Sequence, residues 1–222
     1  MPVTEEALPD LVRRWQAGWG TARGFRPAEE ARGGLHVLLG QPDRHREIVA
    51  LRTDPASLRM LAAEAAGAAR PTWLTVPTLE PEAAETILRA AGLTVHAERE
   101  RLMTIPLSEH PRHAPRPPYT SEIGETGSVR QAVLRHPSSA EPVARGTVAI
   151  LGPDAIADRI ETVPEQRRRG LGSALMSTLA EHAAALGAKT GILVASPDGQ
   201  RLYSALGWTV RATVLIGQRR EP

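Results

Sequence analysis

The 222-residue chain contains no cysteine. Disulfides, thiolate metal sites and a cysteine nucleophile are thereby excluded, and a reducing compartment, the cytoplasm, is expected. Lysine is nearly as scarce: Lys189 stands alone, and arginine supplies the remaining basic charge. With the many alanines, this reads as the bias of a GC-rich genome. The formal net charge is only +2, which gives little support to nucleic-acid binding. There is no apolar run long enough to span a bilayer. The stretch from Met1 to Ala17 carries Glu5, Glu6, Asp10, Arg13 and Arg14. It lacks the basic start and apolar stretch of a signal peptide. The length suits one large domain or two small ones.

What is present is an alternation of helix and strand signals. Leu8, Leu11, Val12, Trp15 and Trp19 recur at helical spacing within Glu5–Trp19, and Gly18, Gly20 and Gly24 are expected to end that helix. Leu35–Leu39 and Glu47–Leu51 read as short strands, and Asp54-Pro55 opens a helix running to about Ala69. Thr72–Val76 is predicted as a strand, Pro81–Ala91 as a helix closed by Gly92, and Leu93–Leu107 as strand material with a break. Prolines at 106, 111, 115, 117 and 118 then mark a linker. Beyond it, Ser128–Arg135, Ala144–Leu151 and Ile156–Val163 read as strands. Gly170–Leu186 is a helix closed by Gly187, Thr190–Ala195 a strand, Asp198–Leu206 a helix closed by Gly207, and Thr209–Ile216 a last strand.

Glu47–Leu107 and Arg159–Ile216 share an order of elements. Their endings also resemble one another, Leu88-Arg89-Ala90-Ala91-Gly92-Leu93 against Tyr203-Ser204-Ala205-Leu206-Gly207-Trp208. This points to an internal duplication. The expected division is residues 1–107, a linker at 108–118, and residues 119–222.

One segment carries chemistry. Arg167-Arg168-Arg169-Gly170-Leu171-Gly172 lies between a strand and a strong helix signal. A helix start exposes unpaired N–H groups and about half a positive charge, which suits a diphosphate if the backbone can come close. Gly170 and Gly172 remove side chains from that approach, and the arginines add charge. The spacing is neither a Walker loop nor a full Gly-x-Gly-x-x-Gly fingerprint. The matching position in the first half, Asp54-Pro55-Ala56-Ser57, can cap a helix but lacks the glycines.

The run Thr162-Val163-Pro164-Glu165-Gln166-Arg167-Arg168-Arg169-Gly170-Leu171-Gly172-Ser173-Ala174-Leu175 resembles the acetyl-CoA-binding motif of the GNAT N-acetyltransferase superfamily, Arg/Gln-x-x-Gly-x-Gly/Ala. Gly191–Ser196 resembles the family's next strand, and Gly199–Trp208 its helix ending in Leu-Tyr-x-x-x-Gly-Phe. The resemblance is specific over about residues 144–216. It implies an α/β (α+β) fold: a mixed, mostly antiparallel sheet flanked by helices, here as a tandem of a degenerate and an intact lobe. It implies acetyl-CoA as co-substrate, an amine acceptor and no metal. The backbone of Ile160, Glu161 and Thr162 would pair with the pantetheine arm. Arg167, Arg168, Arg169, Gly170, Leu171, Gly172 and Ser173 would hold the pyrophosphate. Ser196 stands where the family often has asparagine, and Tyr203 falls near the sulfur, where a phenol can protonate the leaving thiolate.

Amine acylation needs a neutral amine, hence a base. Asp158 is the first candidate and Glu161 the second. Alternate positions put Asp158, Ile160 and Thr162 on one strand face and Arg159 and Glu161 on the other. Each carboxylate is also a natural partner for an arginine such as Arg159 or Arg145. His110 and His113 in the linker are expected to be exposed. Trp15, Trp19 and Trp73 are expected to be packing residues. Glu98 and Glu100, alternating with arginines, read as an exposed strand. Family members usually have two helices between their first two strands, and Tyr119–Arg135 leaves no room for them. The first half is therefore expected to supply the missing wall. Other donors, a longer acyl-CoA, an acyl carrier protein or an aminoacyl-tRNA, and a non-catalytic CoA-binding module stay open, as do monomer and homodimer.

Overall fold

The computed structural model describes residues 7–219. Its first helix is α1 (Leu8–Arg23), and the part of the expected helix at Glu5 and Glu6 lies outside the described residues. The helix does not stop at Gly18 or Gly20. Both are buried inside it, and it ends at Gly24 in the left-handed conformation. The strands β1 (Glu29–Ala31), β2 (Gly34–Leu38) and β3 (Arg46–Ala50) follow, then α2 (Pro55–Gly67), β4 (Thr72–Thr78), α3 (Pro81–Ala90), β5 (Leu93–Val95) and β6 (Glu100–Pro106). The second half contains β7 (Thr120–Thr126), β8 (Val129–Arg135), β9 (Ala144–Leu151), β10 (Asp154–Thr162), α4 (Leu171–Ala185), β11 (Thr190–Ala195), α5 (Pro197–Ala205) and β12 (Thr209–Arg219). The sequence pattern missed β7. It is an exposed edge strand with no apolar alternation, paired to β8 through the turn at Gly127.

All strands join one sheet in the order β1-β2-β3-β4-β12-β6-β11-β10-β9-β8-β7, with β5 beside the end of β12. The fold is α+β, mixed and mostly antiparallel. Its two parallel pairs are β3 with β4 and β10 with β11. The order β3-α2-β4-α3-β6 recurs as β10-α4-β11-α5-β12. The last strands of the two halves are exchanged across the middle. β6 pairs with β11, β12 pairs with β4, and the two pair with each other. Each half therefore completes the other's sheet.

Alternation along the strands separates two faces. Ile156, Ile192, Leu102 and Val214 pack with Leu8, Leu11, Val12, Trp15 and Trp19 of α1. Their neighbours Ala155, Leu193 and Met103 pack under α4 and α5, while Ile48, Leu74 and Leu215 pack under α2 and α3. Among the described residues, one face thus carries four helices and the other carries α1 alone. The proline-rich segment is irregular beyond a short 3-10 turn at Leu107–Glu109, yet it is fastened. His113 N–H donates to Ser177 Oγ at 3.0 Å, and the Ser177 hydroxyl donates to the Pro111 carbonyl at 2.8 Å. His110 is buried edge-on to Trp208 rather than exposed, and burial lowers its pKa. Among the described residues, no helix is long and apolar enough to cross a membrane.

A fragment spanning residues 115–222 lacks both α1 and β6. We expect it to give an aggregated or non-cooperative species by size-exclusion chromatography and thermal unfolding, where the full chain gives one cooperative transition. At Gly18 an added Cβ would stand 2.4 Å from Ile156 Cδ1 and 2.6 Å from its Cβ. Overpacking of that kind costs about 1–3 kcal/mol, against roughly 1 kcal/mol gained by alanine over glycine in a helix. Gly18→Ala is therefore expected to lower the unfolding free energy, measured by urea titration.

Candidate active site

The site begins with a parting of two strands. β10 and β11 pair only through Asp154–Ile156 and Thr190–Ile192. Past Ile156, β10 stays with β9 and β11 stays with β6, so a wedge opens between them with a free strand edge. A bulge between Asp158 and Glu161 bends β10 there, with Arg159 in the left-handed region at φ 53°. Such a conformation is costly for a side chain other than glycine or asparagine. The bulge also breaks the expected alternation. Asp158 does not share a face with Ile160: Asp158 reaches Arg23 of α1, whereas Ile160 packs into the core beneath α4.

On the α4 side of the wedge, the arginine–glycine loop leads into the helix. Arg167, Arg168, Arg169 and Gly170 are exposed. Arg168 and Gly170 take positive φ, 64° and 78°. Gly170 is the N-cap residue, and no side chain among the described residues caps α4, so the first amide groups of the helix are left for another acceptor. A Cβ at Gly170 would meet nothing within 4 Å, whereas one at Gly172 would lie 3.0 Å from Leu202. Gly172 borders the cleft and also makes room for Leu202 of α5. Tyr119 steadies the loop by donating to Gln166 Oε1 at 2.8 Å and accepting from Arg169 at 3.3 Å.

A cleft of about 730 Å³ joins these parts, lined among others by Ile160, Thr162, Arg168, Gly172, Ser196 and Tyr203. Glu161, Arg167, Gly170, Leu171 and Ser173 border it too; Arg169 is not among its lining residues. Ser196 Oγ accepts from Gly199 N–H at 3.3 Å and caps α5. Tyr203 is 7% exposed. Burial first, and the charge of Asp158 second, push its phenol well above the ordinary tyrosine value. It is therefore protonated at neutral pH. A diphosphate with a linear arm fits what is present: an uncapped helix start, a ring of arginines and an unpaired strand edge.

The first-half counterpart is closed. Asp54 accepts from Ser57 N–H at 3.0 Å and from the Ser57 hydroxyl at 2.7 Å, so the start of α2 is capped by its own carboxylate. β3 ends at Ala50, next to its last pairing with β4 at Val49, whereas β10 runs on from Ile156 to Thr162.

Neither carboxylate proposed as a base stands free. Both oxygens of Asp158 accept from Arg23, at 2.7 and 2.9 Å, with Asp158 12% exposed. Glu161 is exposed and paired with Arg145 at 2.8 Å. On the α1 face of the wedge lies a second cavity of about 350 Å³, between Trp19, Trp73, Glu47, Glu100, Asp158 and Val194. The expectation for Glu100 fails here: it is half-buried, on an inner strand, facing α1 together with Leu102. It has no hydrogen-bond or ion-pair partner among the described residues. Burial, with repulsion from Glu47 and Glu98 and opposed by Arg44 and Arg23, holds its carboxyl above the usual range. Nothing in local spacing distinguishes it from Glu98. Only the strand exchange puts it inside.

Residues 133–210 match the Acetyltransferase (GNAT) domain. The whole fold is similar to the GCN5-related N-acetyltransferase from Kribbella flavida, with a TM-score of 0.72 and 17% identity over 100% of this chain and 97% of that one. A tandem GNAT protein from the clavulanic acid biosynthesis pathway gives 0.60 and 12%, covering 98% and 97%. A putative GNAT-family acetyltransferase from Novosphingobium aromaticivorans gives 0.59 and 18%, covering 96% and 99%. No curated protein matches the sequence.

Because the raised Glu100 carboxyl binds its proton more tightly in the folded chain, its contribution to stability is present below the ordinary carboxylate range and is lost as pH rises through the raised value. Glu100→Gln is therefore expected to raise the melting temperature relative to wild type at pH 8 and to leave it nearly unchanged at pH 4. Thermal unfolding at the two pH values measures this.

Proposed function

We propose that this chain, whose C-terminal half carries a GNAT acetyltransferase domain and whose fold follows a tandem GNAT protein along its length, is an N-acetyltransferase. It moves an acetyl group from acetyl-CoA to a primary amine of a small molecule or peptide by direct attack. One observation carries this reading: an uncapped helix start, a parted strand edge and a buried phenol converge on a single cleft.

The roles follow from the chemistry of each group. Main-chain N–H groups from Arg168 to Ser173 hold the pyrophosphate, with Arg167 and Arg168 adding charge from the cleft and Arg169 from beside it. The free edge at Ile160, Glu161 and Thr162 pairs with the pantetheine arm as a neighbouring strand would. Ser196 spends its acceptor on the α5 cap and keeps its hydroxyl proton to donate. When bound, the thioester supplies the activated acyl group. Tyr203 donates to the departing sulfur. Its elevated pKa keeps the donor in place, and it also makes complete transfer to a thiolate of ordinary pKa about 8.5 uphill. Tyr203 thus acts as a hydrogen-bond donor that stabilises the thiolate. Asp158 and Glu161, each held by an arginine, act through position and charge rather than as free bases.

The division into residues 1–107, 108–118 and 119–222 stands in this proposal as two lobes of unequal function. The first has a self-capped helix start, and the second takes the one CoA. Acetyl-CoA is expected to raise the melting temperature with a stoichiometry of one per chain, and acetylation of an amine panel should release free thiol. Tyr203→Phe is expected to lower kcat by about a hundredfold or more while keeping the thermal shift. A wild-type protein unmoved by saturating acetyl-CoA would overturn the proposal. Binding without turnover on any amine would reduce it to a CoA-binding module.

A further inference from the structure

We infer that the cavity on the α1 face of the wedge, walled by both halves of the chain, is the acceptor site, and that Glu100 receives the proton of the acceptor amine. The inference rests on the acetyltransferase reading of the cleft on the opposite face.

Position comes first. The two cavities flank the same parted strands from opposite faces of the sheet. Ala157, Asp158 and Val194 border the second one, and Ile160, Ser196 and Tyr203 border the first. Asp158 is close enough to Tyr203 for its charge to add to the effect of burial on the phenol. An amine entering from the α1 side therefore reaches the gap at the thioester end of the cleft, while the cofactor arm occupies the other side.

Charge comes second. Five ionisable side chains other than histidine line the cavity, and four of them cancel in pairs. Arg23 binds Asp158 through two hydrogen bonds. Arg44 binds Glu47, which also accepts from Thr75 at 2.6 Å. Glu100 is left over, and Arg23 lies within reach of its field. The titratable groups around it are Arg23 from α1, Arg44 and Glu47 before and within β3, Asp158 from β10, and Glu98 and His96 ahead of its own strand; β11 and β12 line the cavity with Val194 and Ile216. A half-buried carboxylate without a partner is costly unless a cation joins it. An ammonium supplies that cation.

Shape fixes the class. Trp15, Trp19, Trp73, Val194 and Ile216 form the walls, and Arg44 stacks over Trp73 with its guanidinium carbon 4.5 Å from the ring centre. A volume of about 350 Å³ is at the small end of ligand pockets, roughly 300–1,000 Å³. One unpaired carboxylate between two arginines takes one ammonium and repels a second. The acceptor is therefore a small monoamine with an apolar or aromatic body, rather than a polyamine or a folded protein's lysine. In the step itself, the ammonium loses one proton to Glu100. The freed nitrogen pair forms the C–N bond to the acyl carbon as the C–S bond breaks, and the sulfur leaves with that bond's electrons. The nitrogen's second proton ends on the thiol, and the Glu100 proton passes to solvent.

Three of the chain's four tryptophans line this cavity, so binding can be read without turnover. Titration of the protein, free of acetyl-CoA, with 2-phenylethylamine should change tryptophan fluorescence saturably. Spermidine and the uncharged 2-phenylethanol should bind at least tenfold more weakly. Glu100→Gln should weaken 2-phenylethylamine binding at least tenfold. It should also lower kcat/KM and remove the acidic limb of its pH profile, with the acetyl-CoA thermal shift intact. A Glu100→Gln enzyme with wild-type amine binding and an unchanged pH profile overturns the inference and leaves the acetyltransferase reading standing. Acetyl-CoA failing to bind wild type, with the amine still bound at the tryptophans, overturns that reading and keeps the site.

Discussion

Everything at the site depends on how α1 holds β10. Arg14 grips Asp154 at 2.8 and 2.5 Å, and Arg23 grips Asp158 at 2.7 and 2.9 Å. In the helix, the rise from residue 14 to residue 23 is about 13.5 Å. In the strand, the distance from residue 154 to residue 158 is about 13 Å. The two spacings agree, so a helix laid along the strand can clamp it at both ends. Between the clamps Gly18 lets the helix backbone settle onto Ile156, the last residue of β10 that pairs with β11. The clamp therefore spans the point where the strands part. Both aspartates are close to fully buried, 8% and 12% exposed. Pairs of this kind add little net stability, but removing one partner costs about 3–5 kcal/mol, because a buried charge is left alone. The arrangement fixes geometry more than it lowers energy.

A strand edge without a neighbour is normally a liability. Here the free edge of β10 lies inside the sheet, between strands held by other partners. β9 fixes β10 from one side and β6 fixes β11 from the other. β6 belongs to the first half of the chain. The wedge is thus held open by elements from both halves, and the exchange of β6 and β12 makes the sheet continuous across them. Strain collects in the same place. Of the three non-glycine residues with positive φ among the described residues, Arg159 sits at the bulge and Arg168 in the loop. Backbone strain of that kind persists where surrounding structure over-determines it.

Much of the second half was legible because its signals are local. The loop at Arg167–Gly172, the helix behind it and the turn before Trp208 each depend on residues within a few positions. The repeated element order was legible for the same reason. The strand exchange was not, since nothing in the alternation of β6 or β12 records which strand lies beside it. Two readings failed as a direct result. Glu100 passed for an exposed residue because its alternation with arginines is that of an edge strand, and β6 is central. Strict alternation puts Asp158 and Ile160 on one face, and only the register reveals the bulge that separates them. Gly172 is a subtler case: it borders the cleft and also makes room for Leu202 from another helix, a contact that local spacing does not announce.

At the matching position the first half is closed to an anion. The carboxylate of Asp54 lies where a phosphate would have to go, satisfying the start of α2 from within. Its β3 stops one residue after the last pairing with β4, so β3 offers no edge to match that of β10. What it keeps is a surface. Glu47 and Thr75 are buried together, and Arg44 stacks between Trp19 and Trp73. Buried ion pairs and an arginine over aromatic rings are expensive features for a lobe whose only task is to fill space. They are economical for one that walls a polar pocket beside a reacting centre. There the paired charges cancel, and the single unpaired carboxylate selects the charge of what enters. Under the proposed acetyltransferase function, one half supplies the donor loop and the other the opposing wall, and α1 fixes the distance between them.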